Sequence, residues 1–470
     1  MSLGTGTLRL FALLLVLVAP RVLAAPPVVR ITNAVPEAGG YRLDWSASRP
    51  DMRFVVESRR DLASGDWASV PFVGFPVSGR TLTVPAEFLP DHGFFRVRGI
   101  PDPSERGKIL SATLVRSIST FELQLILSFQ GISTISARNA VRFYKVVYET
   151  VDPHGFRTQA SGAMMIPDGV AGPRPMVSYL HGTVTAREDV PSRLNTEGYL
   201  GAILASQGYV AVLPDYLGLG DSPGFHPYHH AGSEASATID LLRAARTWTS
   251  SNSVALSGRL FLTGYSQGGH ATLAAMRELE ANHSAEFPIT AVAGGAGAYD
   301  LAGVTTEELL KDQPSPNPYY FAYILAAYID VYGIAGSLSE VLAQPYATTV
   351  PPLFANGSPS ALLNAALPSV AQRAVRTEFL QDFRSRADHP LRIALRENSL
   401  TEWTPRAPLR LYHCSGDLDV PPANAVVAFD RFRALGATRV ERFDPQPSAD
   451  HGGCVEPTLL AALAWFETLR

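Results

Sequence analysis

A serine hydroxyl becomes a useful nucleophile only when a base takes its proton and an acid orients the base. Two serines in this chain are framed by glycines two residues away on either side: Gly220-Asp221-Ser222-Pro223-Gly224 and Gly264-Tyr265-Ser266-Gln267-Gly268. On a tight strand-to-helix turn, glycines at those places leave room for the strained backbone that exposes the hydroxyl. The next residue must offer its backbone N–H to the oxyanion, and Pro223 has none. Nothing helical follows Ser222, whereas Ser266 follows the apolar run Leu260-Phe261-Leu262 and precedes an amphipathic stretch. Ser266 is the candidate nucleophile, and Gln267 the source of one oxyanion N–H.

Two downstream histidines could act as base. His413 falls inside the apparent strand Leu409-Arg410-Leu411-Tyr412-His413, which suits a structural role. His451 falls in the loop Ser448-Ala449-Asp450-His451-Gly452-Gly453, between the apparent strand Val440-Glu441-Arg442-Phe443 and the last helix, and is the candidate base. The acid should end the preceding strand. Ser415-Gly416-Asp417-Leu418-Asp419-Val420-Pro421 offers two carboxylates there. Its distance from Gly416 and the Val-Pro that follows favour Asp419; Asp417 is the alternative. Asp444 ends the next strand but lies too near the histidine loop. The turn His181-Gly182-Thr183 follows the run Val177-Ser178-Tyr179-Leu180, and Thr183 is the candidate for the second oxyanion N–H. His226, His229 and His230 gather near Asp221, but no structural-zinc spacing fits them, so a hydrogen-bonded loop is expected and no metal ligand is assigned.

Holding such groups requires buried strands. The runs 176–180, 209–213 and 259–263 are apolar enough to be covered on both faces, as in a parallel sheet. The runs 141–150 and 159–166 flank Asp152-Pro153-His154-Gly155 and predict a hairpin. Helices are expected over 233–249 (with Ser233 as N-cap), 267–281 and 456–469. This alternation predicts a doubly wound, mostly parallel α/β sheet over 108–470. It breaks down over 301–403, where Tyr319, Tyr320, Phe321, Tyr323, Tyr328 and Tyr332 cluster among prolines. That stretch reads as a helical cap insertion, whose aromatics could be core or a lid. Residues 26–100 carry short runs with the period of strands and predict a small β-sandwich, followed by a linker over 101–107.

Composition narrows the class. Apolar residues make up 46% and charged residues 17% of 470, a globular balance spread over more than one domain. A net charge of −4 with no basic run offers no footprint for nucleic acid. Residues 1–24 read as an export leader, with Arg9 ahead of the apolar run Leu10 to Ala19 and small residues near Ala24. The run is about half the length a membrane-spanning helix needs, so an uncleaved anchor is the lesser alternative. The two cysteines, Cys414 and Cys454, lie in the segments that carry the acid and the base. Acid and base must meet, and an exported protein is oxidised, so a disulfide is expected, with two buried thiols as the alternative.

These residues carry a resemblance over about 108–470. Val147-Tyr148-Glu149-Thr150 with Ser161-Gly162, Tyr179-Leu180-His181-Gly182-Thr183 and Pro214-Asp215-Tyr216-Leu217-Gly218-Leu219-Gly220 resemble segments of the secretory lipase family of α/β-hydrolases. So do Gly264 to His270, Gly416 to Pro421 and His451-Gly452-Gly453-Cys454. The resemblance implies ester hydrolysis by Ser266, His451 and Asp419, an oxyanion hole at Thr183 and Gln267, a helical lid between the sixth and seventh strands, and no cofactor. Asp61-Leu62-Ala63-Ser64-Gly65-Asp66-Trp67 and Phe94-Phe95-Arg96-Val97 look like fibronectin- or immunoglobulin-like modules, which could touch a surface or glycan. The N-terminal module and the divergent insertion lie outside the family pattern. Other readings are a serine peptidase of the prolyl-peptidase kind, or an inert hydrolase fold that serves binding.

Overall fold

The computed structural model describes residues 29–37, 40–47, 52–59, 68–69, 80–85, 94–101, 106–129 and 134–470. The expected leader, the segment Asp61 to Trp67 and most of the expected linker fall outside the described residues.

Six strands form two small antiparallel sheets: β1 (Val29–Glu37), β2 (Gly40–Ala47) and β5 (Thr81–Pro85) in one, β4 (Ala68–Ser69), β3 (Met52–Arg59) and β6 (Phe94–Pro101) in the other. Their alternating patterns place Leu43, Trp45 and Val84 of the first against Phe54 and Val56 of the second. Two half-apolar sheets bury their surface by facing each other.

The second body is a nine-stranded sheet in the order β15-β14-β13-β12-β10-β11-β9-β8-β7. Its strands are β7 (Ile109–Ile118), β8 (Val141–Val151), β9 (Arg157–Pro167), β10 (Arg174–Leu180), β11 (Val210–Pro214), β12 (Leu256–Tyr265), β13 (Ile289–Gly295), β14 (Leu409–Tyr412) and β15 (Val440–Phe443). From β11 through β10 to β15 the neighbours run parallel, and β7, β8 and β9 add an antiparallel edge. The β8–β9 hairpin turns where expected, and Asp152 Oδ1 closes it by accepting from the His154 and Phe156 N–H groups. Helices α1 (Thr120–Phe129), α2 (Thr196–Ser206), α3 (Ala231–Ser251) and α4 (Gln267–Asn282) link the strands. The chain reverses direction across the sheet at β10, with β11 on one side and β12 on the other, which opens a crevice beyond the strand ends. Residues 296–408, between β13 and β14, form the insertion, a set of helices with a separate apolar core of Tyr323, Tyr328, Phe354 and Phe383.

Arg106 begins the described part of the second body. Its guanidinium lies 2.9 Å from Asp240 on α3, with both side chains buried. Thr150 Oγ1 and Arg243 Nη1 also donate to Asp240, at 2.7 and 2.8 Å.

Helix α3 starts two residues before the expected Ser233. Its N-cap is His230, whose Nδ1 accepts from the Ser233 N–H at 3.1 Å. Burial, with the charges of His154, His270 and Arg277, pushes the His230 pKa down to about 3. A free histidine titrates near 6.5, so between about 6.5 and 3 the unfolded chain binds the extra proton. Stability therefore falls as pH falls through that window, by about 2 kcal/mol from this residue between pH 7 and 5. His230→Asn keeps a capping acceptor without the titration. Denaturant unfolding at pH 7 and 5 should show a flatter pH dependence for that variant.

The expected disulfide is present: Cys414 and Cys454 are bonded, with Cα atoms 6.0 Å apart and a sequence separation of 40. It closes the loop that contains β15. Replacing both cysteines by alanine should cost about 2–4 kcal/mol and lower the melting temperature. Thermal unfolding of the variant beside the native protein checks this, and equal midpoints would assign the bridge no stabilising role.

Candidate functional site

Ser266 sits between β12 and α4 with φ +60°, a region costly for a residue with a side chain. The flanking glycines explain how the turn survives. A Cβ at Gly268 would lie 1.9 Å from the Leu180 carbonyl oxygen, and one at Gly264 would lie 2.4 Å from the Gly268 oxygen. Only bare backbone fits, and the Ser266 N–H is held by the Gly295 carbonyl at 3.0 Å.

The Ser266 hydroxyl donates to His451 Nε2 at 2.9 Å. His451 Nδ1 donates in turn to Asp417 Oδ2 at 2.6 Å. The place expected of Asp419 is thus taken by Asp417. Asp417 points inward because its Oδ1 accepts the N–H groups of Asp419 and Val420, at 2.9 and 3.0 Å, closing a turn on itself. Asp419, two residues on, faces the insertion, where its Oδ2 accepts from Asn317 Nδ2 at 3.0 Å. Burial alone would raise the Asp417 carboxyl, but hydrogen bonds from His413, His451 and Val420 hold it well below the usual range. Asp419 is raised by burial. Asp444, the third carboxylate, accepts from Ser415.

His413 lies just past the end of β14 rather than inside it. Its Nε2 lies 2.9 Å from the Val420 carbonyl, which can only accept, and 3.1 Å from Asp417 Oδ2, so it donates to both. Tyr265 donates its hydroxyl to the His451 carbonyl at 2.7 Å. With the disulfide, these contacts fix the acid loop and the histidine loop against one another.

On the other side of Ser266 lies the His181-Gly182-Thr183 turn. A Cβ on Gly182 would approach Ser266 Cβ to 3.7 Å. The Gly182 N–H is occupied by Glu197 Oε1 at 2.9 Å, and Glu197 Oε2 accepts from Tyr179 at 2.8 Å. Glu197, on the first turn of α2, carries no motif signal in the sequence. Burial raises its pKa. Thr183 follows, its hydroxyl 2.9 Å from that of Tyr228. Gln267 is the first residue of α4, so its N–H belongs to the open, positive end of the helix. The Ser222 hydroxyl donates to the Pro223 carbonyl, at 3.5 Å.

Asp221 pairs with Arg193 and Lys145, away from the buried histidines. His229, Glu234 and His270 instead lie together, with potential ligand atoms within 4.8 Å. Glu234 and His270 are bonded to each other at 2.7 Å.

Helices of the insertion roof the serine. Only about 40 Å³ is open beside Ser266, lined by Tyr228, His229, Glu308, Tyr320, Ile324 and Asp419. That is far below the several hundred Å³ of an ordinary ligand site. No helix among the described residues is long and apolar enough to cross a membrane.

Solved structures share this architecture. A candidate hydrolase from Legionella pneumophila is 29% identical, with a TM-score of 0.72 over 77% of this chain and 98% of its own. The rice cell wall degrading esterase LipA from Xanthomonas oryzae is 31% identical, with a TM-score of 0.71 over 78% of this chain and all of its own. Lipase A from Candida antarctica, in its closed state, has the same fold at 18% identity and a TM-score of 0.61, over 77% of this chain and 82% of its own. No curated protein sequence matches the chain. The model of the secretory lipase family matches residues 192–469, which span Ser266, Asp417 and His451. This chain belongs to the secretory lipase family, hydrolases of the lipase and esterase kind.

Proposed function

We propose that the protein is an exported serine esterase that works through an acyl-enzyme, with Ser266 as nucleophile, His451 as base and Asp417 as the acid that orients it. The unbroken hydrogen-bonded line Ser266–His451–Asp417 carries this reading. His451 accepts the hydroxyl proton as Ser266 attacks an ester carbonyl, and it returns that proton to the departing alcohol. The negative oxygen of the tetrahedral intermediate is met by the Gln267 N–H and the Thr183 N–H. His451 then takes a proton from water, which releases the acid and frees the serine. Asp417, held ionised, stabilises the imidazolium in both halves.

Esterase LipA, named for degrading rice cell walls, and the family's lipases support a carboxylic ester as substrate. The narrow space beside Ser266 implies that the insertion shifts to admit an acyl chain. The leader read in residues 1–24 and the disulfide support export.

A fluorophosphonate should add one label per chain, on Ser266. With nitrophenyl esters, Ser266→Ala should lose several orders of magnitude in kcat, and Asp417→Asn about 10³–10⁴. Asp419→Asn removes a charge but keeps an acceptor for Asn317, and should lose less than about tenfold. A larger loss at Asp419 than at Asp417 would sink the assignment of the acid, and an unlabelled Ser266 would sink the nucleophile.

A further inference from the structure

An N-cap serine ordinarily turns its hydroxyl back onto the first N–H groups of its helix. Ser266 makes no such bond, because its hydroxyl is directed to His451. The first turn of α4, which includes Gln267, must be held by something else.

The Gln267 side chain is buried, and both hydrogens of its amide are used. Nε2 donates to Glu234 Oε1 at 3.0 Å and to His226 Nε2 at 2.8 Å. His226 can accept there because its Nδ1 faces the Leu217 carbonyl at 2.8 Å and carries the proton. Burial keeps that ring neutral by pushing its pKa down to about 4. Turning the amide over would set its oxygen against a carboxylate oxygen and a ring lone pair, so one orientation survives.

Glu234 is held in its turn. Its Oε2 lies 2.7 Å from His270 Nδ1, and His270 Nε2 lies 2.8 Å from the Asn398 carbonyl. The carbonyl only accepts, so Nε2 bears a hydrogen, and a further proton must lie between Nδ1 and the carboxylate. Asn398 is fixed by donating to the Tyr332 hydroxyl at 2.7 Å and by accepting from the Ala231 N–H at 2.8 Å. Glu234 lies on the first turn of α3, and His270 one turn along α4 from Gln267. The network, each of its side chains buried, ties the starts of the two helices together.

We propose that Glu234 and His270 are a buried positioning pair that locks Gln267, and with it the N–H aimed at the oxyanion, replacing the cap that Ser266 gives up to catalysis. This rests on the reading of Ser266 as nucleophile. Neither residue touches substrate; both act through Gln267.

The test uses the full chain, with rates expressed per active site titrated by fluorophosphonate, so that misfolded protein does not count. Removing one oxyanion donor outright costs 10²–10³, so a donor left loose in Glu234→Leu should lower kcat about tenfold to hundredfold. KM for a short nitrophenyl ester should stay within about twofold. Affinity for an arylboronic acid, whose adduct with the serine places an oxygen where the oxyanion forms, should fall by the same factor as kcat. Gln267→Ala should match these losses, and the double variant should be no worse than either single one, since both break the same link. Glu234→Gln should recover most of the rate, because its amide oxygen accepts from Gln267 and its NH₂ donates to a neutral His270. If Glu234→Leu fails to fold, Gln267→Ala and Glu234→Gln carry the comparison.

Unchanged kcat and boronate affinity per titrated site, with only a lower melting temperature, would reduce the pair to packing and overturn the proposal. So would losses that multiply in the double variant. One equivalent of zinc retained by the dialysed native protein and lost in Glu234→Gln would overturn it too, by making His229, Glu234 and His270 a metal site. Failure of the underlying reading is seen separately, as native protein whose Ser266 takes no label.

Discussion

A carboxylate taken out of water has to be surrounded by donors, and the loops after β14 and β15 are organised around meeting that demand at Asp417. Its side chain is wholly buried, and four donors converge on it: two backbone N–H groups of its own turn, His413 and His451. Because His451 is one of the four, satisfying the acid also chooses the imidazole tautomer and aims the other ring nitrogen at Ser266. The serine can be there only because no Cβ stands at Gly264 or Gly268. Electrostatic need on one side of the histidine and steric need on the other thus define a single geometry.

The acid loop also marks the limit of what the sequence makes legible. Distance from Gly416 and the following Val-Pro suggest Asp419, but a turn has no fixed period by which a side chain's direction can be read. Direction is decided by short-range bonding: Asp417 receives the N–H groups two and three residues on, and His413 sits four residues before it. A histidine and an aspartate at that spacing around a strand end are visible in the sequence, and weighing them together would have favoured Asp417. The places of Ser266 and His451 are legible because each stands next to a recognisable element, Ser266 between a buried strand and a helix and His451 shortly before the last helix. The same contrast runs through the fold. The stretches 176–180, 210–214 and 260–265 of β10, β11 and β12 are mostly apolar because both faces are covered, whereas β7 is mostly exposed and α1 is largely apolar, so neither shows a clean period. His230 as a cap was hidden because histidine is a rare capping residue.

The insertion resolves an alternative that composition alone left open. Its aromatics are both core and roof. Tyr323 stacks at 4.3 Å on Tyr228, beside the serine, and also on Phe354 deeper in the insertion, while Tyr320 lines the space over Ser266. Tyr328 donates to the His229 carbonyl, and Tyr332 meets Asn398. Through Asn398 the covering helices are therefore joined to the buried polar network of Glu234 and His270, at the start of the helix that follows Ser266. A roof so attached cannot lift as a separate flap without disturbing contacts beneath it.

The Arg106–Asp240 pair bears on how the chain can be divided. Asp240 has no solvent to turn to, and one of its three donors comes from the segment joining the sandwich to the sheet. Stripping a buried carboxylate of such a partner costs about 3–5 kcal/mol. The seam between the two halves is consequently not neutral ground. A cut ahead of Arg106 separates an appended module, whereas a cut behind it takes a piece of the catalytic half's interior. Any recombination that grafts a different module onto this hydrolase would have to carry the arginine across with the hydrolase.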